Sequence, residues 1–322
     1  MGGDFLLSLV IPCYNEEENV QNFYSQTVMA FENNIDEYEF VFVDDGSSDK
    51  TLERLHSLFD KDKSRVQVLS FSRNFGKEAA IYAGLKNARG DFACIIDADL
   101  QQRPEVVVEM MNVIKEDNSV DCVTAYQAER KENKFMSAFK SSFYKIINKI
   151  SEVDFVNGAS DFRLINRKMI DAVISMGEYH RFSKGIFSFV GFNTKYIPYE
   201  VQERENGKSK WNFFKLLKYA IEGIISFSSF PLKLSAYVGF FSAFVSVIYL
   251  ILVIIKRLAY GVDVPGYASI VVLVLVLGGL QLMSLGILGE YMSKVYDQVK
   301  GRPIYILKEH LSEDSFCNEE KQ

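Results

Sequence analysis

The chain has 322 residues, 48% of them hydrophobic, and a formal net charge of −6. This length is enough for one α/β domain of ordinary size with further elements attached. The mild negative charge and the lack of a long basic tract argue against nucleic acid as a partner. The cysteines form no CxxC pair and no zinc pattern, so we expect Cys13 and Cys94, which lie in apolar runs, to be buried reduced thiols of a cytosolic domain.

Strand and helix patterns alternate along the first hundred residues. One predicted helix has Glu16–Glu18 in its first turn, where acidic charges favour the helix dipole, and two others cover Asp49–Phe59 and Lys77–Asn87. Predicted strands cover Leu6–Pro12, Glu39–Val43, Val66–Phe71 and Phe92–Ile96. The alternation predicts an α/β fold with a parallel sheet and right-handed crossovers.

Ligands bind at the carboxyl ends of the strands in such sheets. Three polar clusters stand at these ends: Pro12–Glu16, Asp44–Ser48 and Asp97–Gln101. Asp97 and Asp99 are two residues apart, so in an extended chain they point to the same side and repel each other unless a cation lies between them. Oxygen ligands suit Mg²⁺ or Mn²⁺, which also bind phosphate oxygens. Asp44 and Asp45 either cap the helix that follows or accept hydrogen bonds from a base or a ribose.

The second half of the chain carries the apolar segments. Leu234–Ile255 and Tyr267–Gly289 are uncharged and long enough to span a bilayer, with a hairpin buried in a soluble core as the alternative. Lysines and an arginine flank the pair, whereas its connector holds only Lys256 and Arg257, so we expect both chain ends in the cytoplasm. Glycines in the second span, such as Gly278 and Gly286, predict close helix approach within the hairpin or between protomers.

Two amphipathic segments, Phe135–Ile150 and Trp211–Phe230, fit either the membrane interface or packing on the sheet. Residues 311–322 are polar and acidic, and we expect disorder there. The predicted domains are a catalytic domain (1–210), a juxtamembrane helix (211–231), two membrane helices (232–290) and a cytoplasmic tail (291–322).

Several motifs occur together and in order. They are Pro12-Cys13-Tyr14-Asn15-Glu16, Val43-Asp44-Asp45-Gly46-Ser47, Ser72–Ala80, Asp97-Ala98-Asp99-Leu100-Gln101, Ser160–Leu164 and Arg204-x-x-Gly207-x-Ser209-Lys210. Over residues 5 to 305 the chain resembles the polyprenyl-phosphate glycosyltransferases of family 2, which include dolichol-phosphate mannose synthase and bactoprenol glucosyltransferases. The resemblance implies a GT-A-type Rossmann-like domain with a mostly parallel sheet, followed by a two-helix transmembrane hairpin.

The resemblance also implies site residues at the matching positions. The nucleoside would be held by Pro12, Tyr14, Glu16, Val43 and Asp45. The metal and the diphosphate would be organised by Asp97, Asp99 and Gln101, with Ala98 as a further substrate-binding residue. A loop that closes over the diphosphate would supply Arg204, Ser209 and Lys210. Asp161 would orient the sugar or the acceptor, with a structural cap as the alternative, and Asp99 and Asp161 are the catalytic candidates. Relatives often carry a basic residue where this chain has Phe135-Met136-Ser137, so Arg130, Lys134 and Lys140 are the substitutes predicted for the acceptor phosphate.

The function implied is inverting transfer of a sugar, with glucose as the first candidate, from a UDP-sugar to undecaprenyl phosphate, for modification of cell-envelope glycans. Mg²⁺ or Mn²⁺ would be the cofactor. The enzyme would sit in the inner membrane as a homo-oligomer, with a tetramer as one form. Alternatives are another donor (GlcNAc, galactose, amino-arabinose or GDP-mannose) and a non-catalytic membrane adaptor. A processive polysaccharide synthase is disfavoured, because the chain lacks a Gln-x-x-Arg-Trp motif.

Overall fold

A computed structural model describes residues 5–127, 148, 159–200, 228–260 and 266–313 of the chain. The strands are β1 (Leu6–Cys13), β2 (Glu37–Asp44), β3 (Val66–Phe71), β4 (Phe92–Ile95), β5 (Cys122–Gln127), β6 (Ala159–Asn166), β7 (Thr194–Tyr199) and β8 (Leu307–Leu311). The helices are α1 (Val20–Phe31), α2 (Thr51–Lys61), α3 (Lys77–Asn87), α4 (Pro104–Glu116), α5 (Arg167–Ser175), α6 (Ser183–Phe189), α7 (Phe230–Tyr260) and α8 (Tyr267–Val299).

One eight-stranded sheet organises the first part of the chain, in the order β7-β5-β6-β4-β1-β2-β3-β8. The central strands β4, β1, β2 and β3 are parallel, and β6 and β8 pair antiparallel with β4 and β3. The strands β1 to β4 are apolar along most of their length because helices cover both faces of the sheet. The predicted GT-A-type, mostly parallel α/β fold is confirmed.

Apolar side chains pack on both faces of this sheet. One face carries the larger core, in which Phe40 and Phe42 of β2 pack with Phe23 of α1 and Met110 of α4. On the other face, Ala79, Ala80 and Ala83 of α3 lie against β2 and β3. The small alanine side chains let α3 approach the sheet closely, and the first turn of α3 therefore lies at the sheet edge where the polar clusters stand. Cys13, Cys94 and Cys122 are buried free thiols, as predicted for the first two.

The predicted acidic first turn of α1 is wrong. The helix begins at Val20, and no acidic residue lies in its first turn. Glu16 and Glu17 belong instead to the preceding loop, where their backbone N–H groups donate to Thr51 Oγ1 (2.8 Å) and Asp49 Oδ2 (3.2 Å). These bonds to the start of α2 satisfy two backbone donors of the loop.

Residues 303–311, here called the C-terminal strap, correct the expectation that the chain after the membrane helices is a tail. Its strand β8 pairs with β3, so Leu311 is ordered in the sheet. Tyr305 stacks on Phe71 with ring centroids 5.0 Å apart. His310 donates to Gln67 Oε1 over 3.0 Å. The strap covers the edge of β3, which would otherwise leave unpaired backbone groups.

The helices α7 and α8 contact each other and form a separate compact unit. Both are long and apolar enough to cross a membrane. The most apolar stretch of each helix is not buried by any described part of the chain. That exposure argues against a hairpin buried in a soluble core. The second helix continues to Val299, ten residues beyond the predicted span. An added Cβ at Gly278 or Gly286 would meet no described atom within 4 Å, so these glycines do not mediate the packing of α7 on α8.

Several predicted segments lie outside the described residues. They are the helix at 135–150, apart from residue 148, the juxtamembrane segment up to residue 227, the boundary at 210–211 and residues 314–322. The domain boundaries therefore stay predictions.

Candidate active site

The three polar clusters meet at one edge of the sheet, as predicted. The strands β4, β1 and β2 are neighbours in the sheet, and Cys13 at the end of β1 pairs with Asp44 at the end of β2. The loops after β1 and β2 are joined by side-chain bonds: the Asn15 N–H donates to Ser47 Oγ (3.0 Å), and the Ser48 N–H donates to Asn15 Oδ1 (2.9 Å). Asn15 has a φ of 56°, a left-handed conformation that asparagine tolerates better than most residues. These bonds fix the two loops as one unit.

The five predicted nucleoside residues differ in what they present to a ligand. Tyr14 is exposed, so its ring is available for stacking, whereas Pro12 is half-buried. The Glu16 carboxylate accepts a bond from Asn19 Nδ2 over 2.6 Å. Val43 is fully buried in the apolar cluster beside α3, which leaves only its main chain for a nucleoside contact.

Asp45 has a structural role that the sequence pattern did not predict. Its Oδ1 accepts from the Phe75 N–H (2.6 Å) and its Oδ2 from the Gly76 N–H (2.9 Å). Burial raises the pKa of Asp45 above its usual value, and these two hydrogen bonds counter only part of the rise. Asp45 therefore anchors the loop that leads into α3, rather than capping the helix next to it in sequence.

Gly46 brings the same two loops into backbone contact. It has a φ of +66°, and a Cβ built there would lie 2.5 Å from the carbonyl carbon of Arg73. Only glycine fits both the conformation and the space. The Asp45-Gly46 turn and residues 73–76 consequently form one rigid junction at the start of α3.

The Asp97–Gln102 turn follows β4. The Asp97 N–H donates to Gln102 Oε1 (3.0 Å), and Gln102 Nε2 donates to Asp97 Oδ2 (3.1 Å). Asp99 Oδ1 accepts from the backbone N–H of Gln101 over 3.2 Å. Leu100 has a φ of 59° although it carries a side chain, a strained conformation of the kind found at functional sites. The buried Gln102, which the sequence motif did not indicate, thus orients Asp97. Ala98 packs into the core.

Lys77 is a second site residue to which the sequence pattern assigned no role. It is the first residue of α3, and its Nζ lies 2.5 Å from Asp97 Oδ1 and 3.8 Å from Asp161 Oδ2. Burial alone would lower the pKa of Lys77, but the Asp97 and Asp161 carboxylates raise it well above its usual value. Lys77 belongs to the Ser72–Ala80 motif, but the motif did not indicate that its side chain contacts Asp97.

Asp161 lies on β6, which places it near the Asp97 turn through Lys77. Burial alone would raise the pKa of Asp161, yet the charges of Lys77, Lys184 and Arg163 more than offset this and lower it. Its Oδ1 is buried and has no hydrogen-bond partner among the described residues. A buried carboxylate oxygen without a described partner leaves an unsatisfied hydrogen-bond acceptor at this position.

The remaining predicted residues lie outside the described part of the chain. They are the closing-loop residues Arg204, Ser209 and Lys210 and the acceptor candidates Arg130, Lys134 and Lys140.

Comparisons with known proteins agree with this geometry. The family described as Glycosyl transferase family 2 matches residues 8–174, and the GtrB C-terminal hairpin matches residues 230–295. CsbB of Bacillus subtilis (strain 168), whose name assigns it provisionally to the glycosyltransferases, is 44% identical, over 94% of this chain and 92% of that protein. The prophage-derived bactoprenol glucosyl transferase of Shigella flexneri is 42% identical, over 94% of this chain and 97% of that protein. The two family matches cover the sheet domain and the two-helix hairpin. The chain belongs to glycosyl transferase family 2.

Proposed function

We propose that this chain transfers glucose from UDP-glucose to a polyprenyl phosphate such as undecaprenyl phosphate. The observation that carries the proposal is the near full-length similarity to proteins named bactoprenol glucosyl transferase, at 41% to 42% identity over 94% of the chain. The similarity spans both the catalytic domain and the hairpin, so it supports the sugar transfer and the membrane attachment together. The alternative donors keep the same reaction and differ only in the sugar or the nucleotide.

The acceptor needs little activation in this reaction. A lipid phosphate is already an anion at neutral pH, so its oxygen attacks the anomeric carbon without a strong general base. The new bond from phosphate oxygen to anomeric carbon forms as the bond from that carbon to the diphosphate oxygen breaks, and UDP leaves with the electron pair. Attack from the side opposite the leaving group inverts the anomeric configuration.

The residues of the Asp97–Gln102 turn fit a divalent cation. The Lys77 ammonium already lies between Asp97 and Asp161 as a stand-in cation, so the pocket accommodates positive charge. Among the described residues no group of three or more His, Cys, Asp or Glu side chains is gathered for a metal, so the substrate phosphates and water would complete the ligands. Asp97 and Asp99 would hold Mg²⁺ or Mn²⁺, with Gln101 as a further ligand. Such an ion, when bound, stabilises negative charge on the leaving diphosphate.

The other site residues keep their sequence-based roles in this proposal. Tyr14 stacks on the base, and Glu16, Pro12 and the main chain of Val43 line the nucleoside. Asp161 orients the sugar or the acceptor. The loop with Arg204, Ser209 and Lys210 closes on the diphosphate, because guanidinium and ammonium groups suit phosphate oxygens. The acceptor phosphate is held by Arg130, Lys134 and Lys140.

The location proposed is the cytoplasmic face of the inner membrane. The support is the pair of apolar helices and the charges that flank them. Both chain ends and the catalytic domain then share the compartment that supplies nucleotide sugars. Assembly into a homo-oligomer, with a tetramer as one form, is part of the same proposal.

The test is transfer of radiolabelled sugar to undecaprenyl phosphate by the full chain in detergent, across a panel of UDP- and GDP-sugars with Mg²⁺ or Mn²⁺. We expect labelled lipid with UDP-glucose and its near absence for Asp99→Ala. Glu53→Ala, an exposed acidic residue on α2, is the control and should match wild type. A correctly folded wild-type protein that labels no lipid from any donor would point to the non-catalytic adaptor, and labelling from another donor would change the sugar.

A further inference from the structure

Lys77 occupies the position between the two acidic groups of the site. Its Nζ contacts Asp97 Oδ1 at 2.5 Å and lies 3.8 Å from Asp161 Oδ2, while its side chain stays 43% exposed. The ammonium is thus held by carboxylates, while part of the side chain reaches solvent. A group in this position can change partners without any movement of the backbone.

The backbone that delivers Lys77 is fixed from three directions. Asp45 holds the N–H groups of Phe75 and Gly76, and Gly46 packs against the backbone of Arg73. On the other side of Lys77, the Glu78 carboxylate accepts bonds from the backbone N–H of Ser183 (2.8 Å) and from its hydroxyl. The four-carbon stem is therefore the part of the residue that is free to rotate.

Lys77 and a divalent ion would compete for Asp97. Asp97 cannot accept the ammonium at 2.5 Å and bind a metal ion through the same oxygen, since the two cations repel each other strongly at such separations. Asp161 remains nearby with an oxygen that has no described partner. An ammonium displaced from Asp97 would find its nearest remaining negative groups in Asp161 and in any phosphate brought with the metal.

We propose that Lys77 is an exchangeable cation of the donor site: it pairs with Asp97 before the metal binds, leaves it on metal binding, and then contacts the diphosphate of the nucleotide. The proposal deepens the proposed function and rests on it for the identity of the nucleotide. It assigns to Lys77 a direct contact with substrate. It also explains why the Asp45-Gly46 turn, far from Asp97 in sequence, is packed against the start of α3.

The test measures binding rather than turnover, with the full chain in detergent. We expect Lys77→Met to bind Mn²⁺ without nucleotide about tenfold more tightly than wild type, because a competing charge-assisted hydrogen bond is lost. Electron paramagnetic resonance of free Mn²⁺ gives this affinity. At saturating Mn²⁺ we expect Lys77→Met to bind UDP about tenfold more weakly, because a cation facing the diphosphate is lost. Calorimetry gives the second affinity, and the opposite signs of the two changes identify the exchange.

Two further variants separate the exchange from simple loss of charge. Lys184→Met removes a positive charge that also acts on Asp161 but keeps the Lys77–Asp97 pair, and it should change both affinities by less than about threefold. Lys77→Gln is a second test of the pair in case Lys77→Met does not fold. Unchanged or weaker Mn²⁺ binding, or unchanged UDP binding, in a folded Lys77 variant would overturn the proposal. Binding changes as expected without any lipid product from wild type would instead count against the proposed function alone.

Discussion

Replacing Asp45 by asparagine distinguishes anchoring of the α3 loop from contact with the nucleoside. In the structure both carboxylate oxygens accept backbone N–H groups, from Phe75 and Gly76. Asparagine keeps the shape but offers one oxygen, so its amide NH₂ faces one of these N–H donors. A hydrogen bond to a charged group contributes about 1.5–3 kcal/mol. Because the raised pKa of Asp45 shows that burying its charge is itself unfavourable, we expect a net loss near the lower end, about 1.5 kcal/mol.

A loss of that size lowers the thermal midpoint of a domain of 150–250 residues by about 3–6 °C. Thermal unfolding of Asp45→Asn in detergent, followed by the fluorescence of an added dye, measures this change in the thermal midpoint. Hydrogen exchange should also quicken at the backbone of Phe75 and Gly76, whose N–H groups lose their acceptor. Asp36→Asn, at an exposed position in the same domain, is the matched control. An Asp45→Asn midpoint equal to that of Asp36→Asn, with weakened UDP binding, would refute anchoring and leave only the nucleoside contact.

Three further predictions follow from local geometry. Gly46→Ala should cost about 1–2 kcal/mol for the left-handed conformation alone, with more from the clash with the Arg73 backbone; a thermal midpoint no lower than that of Gly177→Ala, where a Cβ meets open space, would contradict this. Burial lowers the pKa of His310, so the unfolded chain takes up a proton first as pH falls below about 6.5, and stability is lost on acidification from there. The wild-type midpoint should therefore fall more than that of His310→Gln between about pH 7.5 and 5.5, and equal falls would show that His310 does not contribute. Ending the chain after Arg302 removes the C-terminal strap, and amide exchange should quicken in β3 but not in the central strand β1; unchanged exchange in β3 would mean that the strap does not protect that edge.

The central part of the fold was predictable because its signals are local. The strand β3 and the helix α3 have the bounds that their apolar patterns predicted, since each buries a continuous run of side chains. The convergence of the three polar clusters followed from one rule, that parallel strands end at the same edge. The acidic turn after β4 and the two long apolar helices were likewise visible from spacing and length.

What the sequence did not predict depends on partners far away in the chain. The strand β8 is short, and Leu-Lys-Glu-His-Leu becomes a strand only because β3, over 200 residues earlier, offers it an edge. Lys77 and Asp97 lie 20 residues apart and meet through the sheet order. Asp45 looked like a cap for α2 or a nucleoside ligand, and its bonds to the α3 loop depend on how two successive βα units pack.

The order of synthesis gives the strand β8 a consequence for biogenesis. The ribosome makes the strands β1 to β7 first, then both apolar helices, and only afterwards the strand β8 that covers β3. The edge of β3 therefore stays open until both apolar helices have been synthesised. A nascent chain delayed at that step exposes an unpaired strand edge, which is the kind of surface that pairs with other chains. Completion of the sheet therefore has to wait for synthesis of the whole two-helix hairpin.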